Sequence, residues 1–101
     1  MPTSCRRKDS EKAVERRLVE RVAAMGGKAI KLLSDQYSGL PDRLVLMPGG
    51  QVAFVELKTM GEKPRKIQLK RHGELKALGF RVEVIDTIAG VDKFLEEYEQ
   101  R

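Results

Sequence analysis

The sequence predicts a single mixed α/β domain, and three features support this prediction. Near the start of the chain, Val14, Leu18 and Val22 recur at helical spacing. An apolar run over residues 44–47 leads into Pro48-Gly49-Gly50, a turn signal typical of a β-hairpin. A further helical segment separates the third and fourth predicted strands, so a crossover connection and a mixed sheet are expected.

The predicted order of elements is α-β-β-β-α-β-α. Ser10 is a plausible N-cap for the first helix, which Gly26-Gly27 ends. The remaining elements are strands at 29–33, 42–47 and 51–58, a helix at 65–78, a strand at 81–85 and a helix at 91–98. The second helix is expected to face the core with Ile67, Leu75 and Leu78.

Composition limits the possible classes of protein. The 101 residues carry 20 Lys and Arg and 15 Asp and Glu, for a net charge of +5, which favours a polyanionic partner. Eight basic and two acidic residues lie between positions 58 and 81.

The single cysteine (Cys5) and single histidine (His72) exclude an internal disulfide framework and argue against a Cys/His metal site. No apolar run approaches the roughly 18 residues of a membrane span, so a soluble cytoplasmic domain at 10–101 after a tail at 1–9 is expected.

Several carboxylates interrupt an otherwise apolar pattern. On a helical wheel, Glu11 lies within the apolar arc of the first helix and Glu15 about 20° beyond it. Asp42 stands at the mouth of an apolar strand, where Asp is disfavoured. Glu56 and Lys58 share one face of the next strand. There are structural alternatives. Glu11 could be a favourable charge at a helix N-terminus, Asp42 could be a turn residue, and Glu56 with Lys58 could be an ion pair.

Hairpin geometry brings these residues together. The turn at 48–51 sets Asp42 opposite the end of the strand that carries Glu56 and Lys58, within one residue of register. Two or three carboxylates with a main-chain carbonyl suit Mg²⁺ or Mn²⁺. A lysine beside such a metal can orient an attacking water or neutralise charge on phosphorus. The pattern predicts metal-dependent hydrolysis of a phosphodiester.

These motifs resemble the PD-(D/E)XK nuclease superfamily, whose signature is Pro41-Asp42 followed by Glu56-Leu57-Lys58 on the next strand. More specifically, the segments 39–43, 54–58 and 64–68 (GLPDR, FVELK and PRKIQ) are similar to the VRR-NUC family over about residues 10–86. The resemblance implies a restriction-endonuclease-like core of α-β-β-β-α-β order, here with a C-terminal helix.

The resemblance also implies roles for individual residues. Asp42, Glu56 and the main-chain carbonyl of Leu57 would bind Mg²⁺ or Mn²⁺, Lys58 would assist the attacking water, and Gln68 would help hold the site. One glutamate of the first helix would complete it; we favour Glu15, with Glu11 as the alternative.

The expected partner is DNA, branched or duplex. The candidate DNA-binding side chains lie on and just before the second helix: Lys63, Arg65, Lys66, Lys70 and Arg71. Similarity to stand-alone VRR-NUC domains implies a homodimer that cuts branched DNA such as four-way junctions, encoded by a bacterium or by a virus acting in its host. His72 is expected to be structural or to contact phosphate. The alternatives are a non-catalytic nucleic-acid-binding module and a sequence-specific restriction-type nuclease.

Overall fold

The computed structural model describes residues 9–33 and 37–99. It confirms the predicted order of elements. The helices are α1 (Glu11–Ala24), α2 (Lys66–Ala77) and α3 (Ile88–Glu99), and the strands are β1 (Lys28–Lys31), β2 (Arg43–Met47), β3 (Gln51–Leu57) and β4 (Arg81–Ile85). Most of the tail predicted for residues 1–9, and part of the loop before β2, lie outside the described residues.

The four strands form one sheet in the order β1-β2-β3-β4. β1 with β2 and β2 with β3 pair antiparallel, whereas β3 and β4 pair parallel and are joined through α2. The sheet is therefore mixed, as predicted. The hairpin register runs from Met47↔Gln51 at the turn to Arg43↔Val55 at the open end, so the next two residues, Asp42 and Glu56, also stand opposite each other.

The main core lies between one face of the sheet and two helices. α1 contributes Val14, Leu18 and Val22, as its helical spacing predicted, and Ser10 caps its N-terminus by accepting a hydrogen bond from the Ala13 N–H at 3.0 Å. The other buried members come from the strands and α3: Val45, Met47, Ala53, Val55, Leu57, Ile85, Val91, Phe94 and Leu95. Alternation along β3 turns Phe54 and Glu56 to the opposite face.

The opposite face of the sheet is covered by α2, and the predicted apolar inner face of this helix was partly wrong. Leu78, expected in the core, is 73% exposed, and the buried side chains of α2 are Gln68 and His72. The loop before β2 lies against this helix: Gly39 has φ +85°, and a Cβ there would stand 2.6 Å from the Ile67 carbonyl oxygen. This close approach fixes the path of the chain into Asp42.

Element boundaries differ from the prediction at several ends. α3 begins at Ile88, three residues earlier than expected, because two side chains satisfy its first backbone N–H groups. Asp9 accepts from Ile88 N at 2.8 Å, and Thr87 Oγ1 accepts from Gly90 N at 2.9 Å. β1 ends at Lys31, and Leu33 beyond it is 75% exposed. Of the helices within the described ranges, none has both the length and the apolar character needed to cross a membrane.

Candidate active site

Asp42 enters the site from the residue before β2. The preceding Pro41 is fully buried, which anchors the backbone at this point. The Asp42 carboxylate accepts a hydrogen bond from the backbone N–H of Leu57, with 2.7 Å between N and Oδ2. The aspartate is thus tied to the end of β3 through one oxygen, and this bond does not use its other oxygen.

The backbone of Leu57 also faces Asp42. In an extended strand, the N–H and C=O of one residue point to the same edge, so the Leu57 carbonyl lies on the side of its N–H, toward β2. On the other edge, the neighbouring Lys58 N–H donates to Ile85 O in β4 at 3.1 Å. The end of β3 therefore offers a main-chain oxygen beside the carboxylate of Asp42.

Glu56 is the most deeply buried charged side chain among the described residues, with 1% of its surface exposed. Its Oε2 accepts a hydrogen bond from Gln68 Nε2 at 2.9 Å and lies 3.3 Å from Lys58 Nζ. Its Oε1 is buried without a hydrogen-bond partner in the described structure. Burial, and secondarily the charge of Asp42, raises the pKa of Glu56 to about 7.

Gln68 connects the helix to the strand. Its side-chain oxygen accepts from Lys58 Nζ at 2.9 Å and from the Arg65 backbone N–H at 2.8 Å, which is half of a capping box at the start of α2. Its side-chain nitrogen holds Glu56. One amide therefore sets the positions of the carboxylate, the lysine and the helix N-terminus relative to each other.

The two glutamates of α1 have different surroundings. Glu15 Oε2 accepts from Arg43 Nη2 at 2.6 Å, and this hydrogen bond, the largest contribution, lowers the pKa of Glu15 below its ordinary value. Arg43 also donates to Ala29 O at 2.9 Å. Glu11 is exposed, and its charge contributes to raising the pKa of Glu56. Glu11 therefore has only a weak electrostatic effect on Glu56, whereas Glu15 ties α1 to Arg43 of β2.

Sequence reasoning did not place His72 in the site. It is 4% exposed and stands one helical turn after Gln68, with Nε2 3.6 Å from Glu56 Oε1. The sequence predicts either a structural role or a phosphate contact for His72, and its burial supports the structural role. The available signal was its spacing of four residues from Gln68, which puts both side chains on one face of a helix.

Four of the five predicted DNA-binding side chains are on the surface of α2 and the segment before it: Lys63, Arg65, Lys66 and Lys70. Arg71 differs from them. Its Nε donates to Ser38 O at 2.7 Å, its Nη1 pairs with Glu74 at 3.2 Å, and its guanidinium lies 4.1 Å from the centre of the Tyr37 ring. Arg71 therefore holds the loop before β2 against α2.

The donor set can be tested for its fit to a cation. Within residues 9–33 and 37–99, no group of three or more His, Cys, Asp or Glu side chains is arranged as a metal cluster. The available oxygens are those of Asp42 and Glu56, with the buried Glu56 Oε1 lacking a hydrogen bond, and the Leu57 carbonyl. This small all-oxygen set suits Mg²⁺, which commonly keeps several waters and takes one or two protein carboxylates.

The fold and this site together define a class of protein. A mixed sheet whose antiparallel hairpin ends in Asp42 and Glu56-Leu57-Lys58 is the core of a PD-(D/E)XK nuclease. A solved structure titled "VRR_NUC domain" superimposes with a TM-score of 0.81 at 36% sequence identity, covering 89% of this chain and 99% of its own. The chain is also 47% identical over 77 residues to "Putative nuclease p44" of Acyrthosiphon pisum secondary endosymbiont phage 1, covering 76% of this chain and 83% of the relative.

The chain belongs to the VRR-NUC family of nucleases. No family model matches the sequence, so this membership rests on the solved structure and the phage relative.

Proposed function

We propose that the protein is a Mg²⁺- or Mn²⁺-dependent DNA endonuclease that cuts branched DNA as a homodimer. The observation that carries this proposal is the pairing of Asp42 and Glu56 at the open end of the hairpin, where Glu56 keeps one buried oxygen without a hydrogen bond. A buried carboxylate whose pKa is raised to about 7 by desolvation and a second carboxylate is a costly arrangement for stability alone.

Asp42, Glu56 and the Leu57 carbonyl would hold the cation. When bound, the metal would lower the pKa of a coordinated water and stabilise charge on the phosphoryl group. The protein's own contribution is to hold these oxygens in place: Leu57 N–H restrains Asp42, and Gln68 restrains Glu56.

Lys58 is the candidate for assisting the attacking water. Its Nζ lies between Gln68 Oε1 at 2.9 Å and Glu56 Oε2 at 3.3 Å, so it is held beside the carboxylate pair. From that position an ammonium group can orient the water, or neutralise charge that develops on the phosphate. Gln68 then acts as a positioning residue for both Lys58 and Glu56.

Glu11 is our candidate for the glutamate contributed by α1. From the sequence alone, Glu15 is favoured and Glu11 is the alternative. The main support for Glu11 is that Arg43 already engages Glu15, with 2.6 Å between Nη2 and Oε2. The charge of Glu11 adds only a small contribution to the raised pKa of Glu56.

The proposed DNA contacts are Lys63, Arg65, Lys66 and Lys70. The first turn of α2 carries no acidic residue, although acidic residues there would stabilise the helix through its macrodipole. Positive side chains at a helix N-terminus are unfavourable for folding but favourable for binding phosphate. Such contacts supply affinity without reading sequence.

The preference for branched DNA and the dimer go together in this proposal. The described part of the chain forms one such carboxylate pair, and symmetric cutting of two strands at a four-way junction requires two active sites related by symmetry. We place this activity in the cytoplasm of a bacterium. The protein would be encoded by the bacterium or by a virus that infects it.

The proposal is tested by incubating the protein with four-way junction, flap, linear duplex and single-stranded DNA, in Mg²⁺, Mn²⁺ or EDTA. Asp42→Asn keeps an oxygen for the Leu57 N–H but removes the charge, and it should abolish cutting. The matched control is Asp92→Asn on α3, which makes the same chemical change away from the site and should cut like the wild type.

Four results would contradict the proposal. Cutting in EDTA would exclude metal dependence, and equal cutting by Asp42→Asn would exclude this site. Binding to all four DNAs without any cutting would favour the non-catalytic module. A monomer in light scattering with junction DNA bound would contradict paired incision.

A further inference from the structure

Three polar or charged side chains are buried among the described residues, and they form one cluster. They are Glu56, Gln68 and His72, exposed by 1%, 7% and 4% respectively. Glu56 and Gln68 have roles in the function proposed above, whereas His72 has none. A buried polar side chain beside an active-site carboxylate requires an explanation.

The two oxygens of Glu56 are held unequally. Oε2 accepts a hydrogen bond from Gln68 and lies near Lys58. Oε1 faces His72 Nε2 at 3.6 Å, just beyond hydrogen-bond distance. Both of these facing atoms are buried and lack a hydrogen bond in the described structure.

The space between them is too short for a bridging water. Two hydrogen bonds of about 2.8 Å through one water place the outer atoms about 4.5 Å apart, whereas Oε1 and Nε2 stand 3.6 Å apart. A movement of a few tenths of an ångström would instead join them directly. That contact would restrain Glu56 through both oxygens, from two consecutive turns of α2.

We infer that His72 is a positioning residue: its Nε2 holds Glu56 Oε1 and thereby fixes the orientation of the carboxylate toward Asp42. The inference rests on the proposed metal site. Side chains that orient metal-binding carboxylates commonly change metal affinity by 10- to 100-fold when they are removed. His72 does not touch the metal or the DNA in this account.

Two amide substitutions differ only in reach and test this inference. In His72→Gln the amide nitrogen extends to about the position of Nε2, whereas in His72→Asn it stops near Nδ1. Both are polar, so both should be similarly tolerated beside Glu56. Mn²⁺ binding to the DNA-free protein is measured by electron paramagnetic resonance and calorimetry, and folding by thermal unfolding in EDTA.

We expect His72→Asn to weaken Mn²⁺ binding about tenfold and His72→Gln to stay within about threefold of the wild type, with similar unfolding temperatures for the two variants. Nitrogen hyperfine coupling to bound Mn²⁺ should be absent in the wild type. Its presence would make His72 a direct ligand and overturn the inference.

Equal Mn²⁺ binding by His72→Asn and the wild type would overturn the positioning role while leaving the proposed function intact. Failure of the wild type to bind Mn²⁺ more tightly than Asp42→Asn would instead refute the proposed function. The two failures are therefore distinguishable.

Discussion

At the scale of single residues, Glu56 shows a conflict between stability and chemistry. Its carboxylate is removed from water and faces Asp42, and both effects raise its pKa, to about 7. Lys58 and Gln68 offset only part of this cost. The metal-free protein should therefore be limited in stability by the group that the proposed activity requires.

Replacing Glu56 by Gln should stabilise the metal-free protein at neutral pH. Between pH 4.5 and about 7, the unfolded chain loses the Glu56 proton while the native state keeps it, so ionisation favours unfolding. One pH unit of pKa difference is worth about 1.4 kcal/mol, which sets an upper limit of about 3 kcal/mol. We expect a gain of about 1 to 3 kcal/mol at pH 7 by denaturant unfolding in EDTA, shrinking toward zero near pH 4.

The exposed Glu62→Gln provides the matched control for this measurement and should change stability little at any pH. A Glu56→Gln variant that is less stable than the wild type at pH 7, or whose difference does not vary with pH, would contradict this account of the site.

Some residues of the candidate site could be predicted from the sequence and others could not. The difference lies in whether local rules of strand and turn geometry determine where the side chain lies. The convergence of Asp42, Glu56 and Lys58 follows from strand alternation and one tight turn, and the structure brings the three to the open end of the hairpin. Gln68 came from the family resemblance. The place of His72 beside Glu56 was not predicted, because the sequence indicates an apolar inner face for α2, whereas the structure buries the polar pair Gln68 and His72 there.

At the scale of elements, α1 must be fixed over the sheet for its glutamates to have defined roles. The Glu15–Arg43 pair, with 2.6 Å between Oε2 and Nη2, joins α1 to the first residue of β2. A helical wheel does not distinguish Glu11 from Glu15 as the candidate site residue. The choice between them depends on how α1 crosses the strands and on which face of β2 carries Arg43. Neither is encoded in helical periodicity.

Glu15→Gln and Glu11→Gln should have opposite effects. Glu15→Gln should retain activity within about threefold and lower stability by about 0.5 to 1 kcal/mol, since the pair is partly exposed. That loss should be present at neutral pH and disappear as the pH falls through the lowered pKa of Glu15. Glu11→Gln should reduce cutting by about tenfold or more with unchanged stability.

Nuclease assays and unfolding of both variants check this assignment. Should Glu15→Gln remain folded and lose activity while Glu11→Gln stays active, the roles of the two glutamates would be exchanged.

At the scale of the whole molecule, charge is divided between the two sides of the sheet. Six acidic and two basic residues lie in positions 82–101. In the structure several of the acids of α3 are paired rather than free: Asp92 with Arg17 and Arg21, Glu99 with Arg21, and Glu97 with Arg81. The lysines of α2 face solvent on the other side, so the positive surface lies on the side of the sheet that carries Glu56.

The exposed lysines of α2 should account for much of the salt dependence of DNA binding. Each phosphate contact contributes about 0.9 to the slope of log affinity against log salt concentration for duplex DNA. In an Asp42→Asn background, Lys66→Ala/Lys70→Ala should therefore reduce the slope by about 2, to a similar degree on duplexes of different sequence. Lys28→Ala/Lys93→Ala removes the same charge from exposed sites on β1 and α3 and should change the slope by much less than 1. Equal reductions by the two double variants would mean that DNA responds to net charge alone, and that α2 is not the binding surface.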